Sequence, residues 1–100
     1  MTSQDLFLAY EAQRQAIEKA YVDTEMTEKE KARMIALSEL AYRKAQVQAG
    51  YLDAQFEVRT IDEAAKSAAI ADCDSQIAAI PVPDWEAYGL ADVATMMASD

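Results

Sequence analysis

No histidine occurs in these 100 residues, and there are only two glycines, two prolines and one cysteine. Without imidazole the chain lacks the commonest general base, the commonest metal ligand and any Ser–His or Cys–His nucleophile pair. Zinc held by Cys and His is excluded with it. Two glycines, Gly50 and Gly89, cannot make the Gly-rich loop that cradles phosphate. A lone Cys73 allows no disulfide within the chain and suits a reducing compartment. No run approaches the ~20 apolar residues of a membrane span. Met1 to Asp5 shows no basic region of the kind that opens a signal peptide. These absences predict a protein that is not an enzyme, needs no cofactor and no metal, and works in the cytoplasm or in a particle assembled there.

The composition that remains is that of an ordered chain, 52% apolar and 27% charged, richer in apolar residues than disordered segments are. Acids outnumber bases 18 to 9, for a net charge of −9. Such a surface repels nucleic acid and anionic lipid and attracts basic partners. The charge is uneven. Residues 27–60 hold five acids and six bases, whereas residues 61–100 hold eight acids and one base, with none after Lys66.

Helix signals dominate. Thr2 and Asp5 stand three apart as in a capping box, which starts a helix near residue 3. Leu6, Tyr10, Gln13, Ile17 and Tyr21 then share one face at 100° per residue, with Leu8 and Val22 on the wet side. Thr27 and Glu30 repeat the start signal. The short connection "DTEM" (Asp23 to Met26) makes the first two helices antiparallel neighbours.

The helix after Thr27 carries two apolar rows. One holds Met34, Ala41, Ala45, Leu52 and Phe56; the other holds Leu40, Val47, Tyr51, Ala54 and Val58. Glu39, Gln46, Asp53 and Glu57 form its outer polar face. Two flanks need two neighbours: the first helix, and either another segment or another molecule. Gly50 weakens this helix by about 1 kcal/mol without forcing a break. Thr60 and Glu63 form a third capping pattern, so a boundary is expected near residue 60. An Ala-rich helix over 61–79 follows, with Ile70, Cys73, Ile77 and Ile80 as a narrow apolar stripe.

Pro81 and Pro83 lack an N–H and push the preceding residues out of helical conformation. They end the third helix and aim a last short helix, beginning at Pro83 or Asp84. The expected fold is therefore all-α. It has an antiparallel hairpin (helices about 3–22 and 27–59), an Ala-rich third helix and a short C-terminal helix after a Pro turn. Residues 1–80 form the bundle and residues 81–100 an acidic docking segment. An extended hairpin completed by oligomerisation is the alternative architecture.

Other signals are weaker. "DCDS" (Asp72 to Ser75) has no glycine and no closing glutamate for a calcium loop and reads as a solvated helix face. Lys29, Lys31 and Arg33, with Arg43 and Lys44 beyond, interleave with Glu28, Glu30 and Glu39 and read as a salt-bridged surface. Tyr10, Tyr21 and Tyr51 lie on apolar faces, where a ring buries its body and keeps its hydroxyl at an edge.

These features point to a structural or adaptor subunit that packs by helix–helix contacts into a protein assembly, with another protein or its own copies as partners and neither nucleic acid nor membrane. A many-copy particle such as a phage virion would suit it. The candidate contact residues are Tyr51, Val58, Trp85, Tyr88, Leu90, Val93, Met96 and Met97; Trp85 has as its other reading the closing of the chain's own bundle. A second possibility is an acidic inhibitor or decoy that covers a basic surface through Asp72, Asp74, Asp84 and Glu86. An assembly chaperone, resting on Trp85, Met96 and Met97, is a third.

Overall fold

A computed structural model describes residues 2–50 and 63–98, and among these the chain is all helix and connection. Helix α1 spans Ser3–Asp23, α2 Glu28–Gln48, α3 Glu63–Ala79 and α4 Ala91–Ala98, with one 3-10 turn at Glu86–Tyr88.

The start of α1 is the capping box that the sequence predicts. The Asp5 N–H donates to Thr2 Oγ1 at 3.2 Å, and the Thr2 N–H donates to Asp5 Oδ2 at 3.0 Å. At the other end Thr24 does two jobs. Its N–H and its hydroxyl both donate to the Ala20 carbonyl, at 2.9 and 2.7 Å. Its oxygen then accepts the Met26 N–H at 3.2 Å. That loop of bonds turns Met26 inward, where it is buried.

Thr27 caps α2 by accepting the Glu30 N–H at 3.1 Å. The box is only half made, because the Glu30 carboxylate pairs instead with Arg33 at 3.0 Å. Ionic pairing outcompetes the neutral backbone donor for that carboxylate.

Helices α1 and α2 run antiparallel. Ile17 shares a cluster with Met34, Gln13 bonds Ser38, and Tyr10 stacks on Tyr42 with ring centroids 4.8 Å apart, so rising positions on one helix meet falling positions on the other. Ile17 and Met34 are fully buried, and burial of such side chains contributes roughly 1.5–3 kcal/mol each.

The expected length of α2 needs correction. It stops at Gln48, eleven residues short of 59, and Gly50 sits at φ 82°. The left-handed backbone that ends a helix costs an L side chain about 1–2 kcal/mol but costs glycine nothing. The Gly50 N–H closes the end on the Val47 carbonyl at 2.9 Å. Here glycine is a stop signal rather than a tolerated flaw. The continuation of both apolar rows (Tyr51, Leu52, Ala54, Phe56, Val58) and the Thr60 boundary lie outside the described residues. Gln46 is a second correction: it is buried, not part of an outer polar face.

The second neighbour of α2 is α3 of the same chain. Val47 and Ala69 are buried together with Ile70 against them, and Lys44 Nζ reaches Asp74 Oδ1 at 2.8 Å across the helices. At Val47, in the described part of the second row, the covering surface lies inside the molecule.

The last third also departs from expectation. Instead of one helix from Pro83 or Asp84, the 3-10 turn ends at Gly89 (φ 69°) and α4 begins afresh at Ala91. The Gly89 N–H bonds the Glu86 carbonyl at 3.2 Å and the Leu90 N–H bonds the Trp85 carbonyl at 2.8 Å. This pair of bonds is a Schellman ending, and it brings the residue after the glycine against the residue three back from the cap. Those two residues, Leu90 and Trp85, meet in the main cluster. That cluster buries Ile17, Ala20, Met26, Met34, Leu90 and Val93, with Trp85, Tyr88 and Met97 packed on it. The segment after the prolines therefore folds back onto the α1–α2 hairpin.

Candidate functional site

Along α1 the residues Leu6, Ala9, Gln13, Ala16 and Ala20 recur at steps of three or four and form one continuous row. On α2 the facing row is Met34, Ala41, Ala45 and Gln48. Between these rows runs a groove. Leu90, Val93 and Met97 fill the part beside Ala16, Ala20 and Met34.

The part beside the start of α1 is open, a cavity of about 480 Å³. Its walls are Leu6, Ala9, Tyr10 and Gln13 from α1, Ala41, Tyr42, Ala45, Gln48 and Ala49 around the end of α2, and Met96 and Met97 from α4. Among these described lining residues none carries a charge. Alanine explains the space, because four positions that could hold a large side chain hold a methyl group.

The groove is braced at its edges. Phe7 meets Tyr42 edge to face at 6.4 Å, and Tyr42 stacks on Tyr10 at an interplanar angle of 10°. The Tyr10 hydroxyl makes long hydrogen bonds, donating to Glu39 at 3.4 Å and accepting from Arg14 at 3.5 Å. Burial, and then the neighbouring Glu39 carboxylate, push the Tyr10 phenol above its ordinary range, so it stays protonated. At mid-groove the Ser38 hydroxyl donates to Gln13 Oε1 at 2.7 Å, with both residues buried. This contact fixes the register of the two walls.

The sequence-derived contact residues fall in three places. Leu90 and Val93 are buried in the chain's own core, and Trp85, Tyr88 and Met97 are half-buried against it. Met96, 45% exposed, lies at the groove. Tyr51 and Val58 lie outside the described residues. The acidic residues Asp72, Asp74, Asp84 and Glu86 are exposed, but three of them have internal partners. Asp74 holds Lys44, Asp72 accepts from Gln76 Nε2 at 2.8 Å, and Asp84 accepts the Ala87 N–H at 3.3 Å.

Of the basic cluster, Arg33 pairs with Glu30, and Lys31 stands 4.5 Å over the Tyr21 ring. Cys73 is buried on α3; burial raises its thiol pKa, outweighing the nearby Arg43 that would lower it. Asp72 and Asp74 both lie within α3, and among the described residues no group of Cys, Asp or Glu converges to hold a metal ion. No helix among them is long and apolar enough to cross a membrane.

The groove walls Leu6, Ala9, Ala45 and Ala49 are absent from the sequence-derived contact residues. The available signal was alanine where an amphipathic helix would normally place a large residue. No protein-family model, no curated protein and no solved structure matches the chain.

Proposed function

We propose that the chain is a non-enzymatic structural or adaptor subunit that joins a larger protein assembly by helix–helix packing. One observation carries this reading: a largely apolar groove, lined by alanines and with no charged residue among its described walls, beside the place where Leu90, Val93 and Met97 of the chain itself pack on the same two helices. The second flank of α2 gives it no support where it is described, since α3 lies against Val47. The acidic-decoy reading draws on the −7 balance of residues 61–100, but Asp72, Asp74 and Asp84 already serve internal contacts.

The test is the mass of the native particle. The tagged chain, isolated gently from its source and weighed by light scattering, should run well above the monomer. Ala45→Arg places a guanidinium in the groove and should return it to the monomer while the helical circular dichroism persists. A wild-type monomer at micromolar concentration, with no protein co-purifying, refutes the proposal.

A further inference from the structure

Resting on the assembly reading, which sets copies of the chain side by side, we infer that the carboxy-terminal arm, residues 84–98, is exchangeable: it leaves its own hairpin and seats in the same place on a second copy. The seat and its occupant are both present in one molecule. Ile17, Ala20, Met26 and Met34 form a floor on which Leu90 and Val93 are buried to 5% exposure. A second copy presents the identical arm, so the fit between copies is that of a contact the chain already makes.

The arm holds together as one piece. Asp84 Oδ1 accepts the Ala87 N–H, and the Leu90 N–H ends on the Trp85 carbonyl. The Ala94 N–H ends on the Leu90 carbonyl and the Thr95 hydroxyl on that of Ala91. Each of these bonds lies inside the arm and survives its transfer. Ile17 and Met34, both 0% exposed, lose cover when the arm lifts. Water against that surface is unfavourable, and the arm of a neighbour removes it.

The hinge favours the transfer. Between Ile80 and Asp84 the chain is not helical. Among the described residues no backbone hydrogen bond is made by Pro81, Val82 or Pro83. Only Pro83 of the three is buried, and Val82 is 87% exposed. Each proline fixes its own φ and biases the residue before it, Ile80 or Val82, toward extended backbone. A stretch that prefers to run straight resists the bend that brings an arm home and suits the path to a neighbour. Closed and exchanged forms bury the same side chains, so packing cancels between them. The balance is left to the hinge and to the local concentration of copies, which an assembly raises.

The experiment uses the full chain in two forms, one grown with photo-leucine in place of leucine and one labelled with the heavy nitrogen isotope. Equal amounts are unfolded together, refolded at ~0.5 mM to favour association, separated by size and irradiated. Leu90 shares a hollow with Ala16 and Ala20, so its cross-links fall on α1. In the dimer fraction about half of the links from a light Leu90 should reach a heavy α1; in the monomer fraction none should. Deleting Pro81 and Val82 removes about 7 Å of reach at 3.3–3.6 Å per residue and should yield a dimer at ~10 µM. Inserting Gly-Ser-Gly-Ser after Val82 should weaken dimerisation at least about tenfold.

The inference is overturned if neither the wild type nor the shortened chain dimerises, if every Leu90 link in the dimer stays within one light chain, or if lengthening the hinge leaves dimerisation unchanged. Should the shortened chain fail to fold, the wild-type links and the lengthened hinge decide. Links confined to one chain while Ala45→Arg still breaks the native assembly end the exchange and leave the assembly reading standing. Links between chains in a protein whose native particle weighs one chain end the assembly reading and leave the exchange as a property of the concentrated protein.

Discussion

Ser38→Ala is the most exacting single change this fold offers. The Ser38 hydroxyl is 0% exposed and donates at 2.7 Å to a Gln13 carbonyl whose residue is 8% exposed. Removing the donor leaves that oxygen buried and unsatisfied, which costs about 1–3 kcal/mol. At about 4–8 °C per kcal/mol for a chain of this size, a mid-range loss of ~2 kcal/mol lowers Tm by about 8–16 °C.

Gln13→Leu should cost less, under ~1 kcal/mol. The Ser38 hydroxyl left behind can turn to the carbonyl four residues back in its own helix, at Met34. The double variant Gln13→Leu/Ser38→Ala removes both partners and adds apolar contact. It should sit within about 0.5 kcal/mol of the wild type or above it, giving a coupling energy of roughly 1.5–3 kcal/mol in the cycle. Urea titrations followed by far-ultraviolet circular dichroism measure all four corners. A Ser38→Ala loss below ~0.5 kcal/mol, the scatter of surface substitutions, or strictly additive single changes would refute the buried-pair argument.

Gly89→Ala should cost about 1–2 kcal/mol through its left-handed backbone alone, because nothing lies within 4 Å of the added methyl. Trp85 emission should shift to the red as the Leu90–Trp85 ending loosens, and an unchanged spectrum would count against that ending as the anchor. Cys73 should react with iodoacetamide at least ~100-fold more slowly in the folded chain than in urea, since burial raises its pKa; equal rates would place the thiol at the surface. Because the folded pKa lies above the unfolded one, stability from the protonated thiol is full below the unfolded pKa and drains as pH rises through the folded value. Cys73→Ala should remove that alkaline loss. Asp5 behaves oppositely. Hydrogen bonds from the Thr2 N–H and hydroxyl depress its pKa, so its contribution holds above the unfolded pKa and fades as pH falls through the folded one; Asp5→Asn should flatten the acid limb of the Tm–pH curve, and an unaltered limb would argue against the cap.

Local rules carried the fold a long way. The Thr2–Asp5 box, the Thr27 cap and the row from Leu6 to Ile17 are readable because each depends only on residues three or four apart. Leu8 and Val22, placed on the wet side by the same rule, are exposed. Reading failed where one residue had two available roles. Gly50 is tolerable inside a helix and also ideal just past its end, and only tertiary packing decides which. Gly89 deceived in the same way and split the expected last helix. Gln46 was assigned by polarity to the surface, yet it is buried.

The groove was hidden for a different reason. It is made of missing volume at Ala9, Ala41, Ala45 and Ala49, on two helices whose mutual register rests on Gln13 and Ser38, 25 positions apart. Each segment shows only alanines at core-spaced positions, and those become a groove only when the two rows are brought face to face.

The main cluster joins Ile17 and Met34 to Leu90 and Val93, while Val47, Ala69 and Ile70 close a smaller one between α2 and α3. This division sets an order of events during synthesis. Once α3 has emerged from the ribosome, the lesser cluster has every part it needs. The greater one must wait, its first members made more than fifty residues before its last. A nascent or prematurely terminated chain therefore lacks the cover that Leu90 and Val93 give to Ile17, Met26 and Met34, and transiently exposed apolar surface of that kind is what makes incomplete chains prone to aggregate.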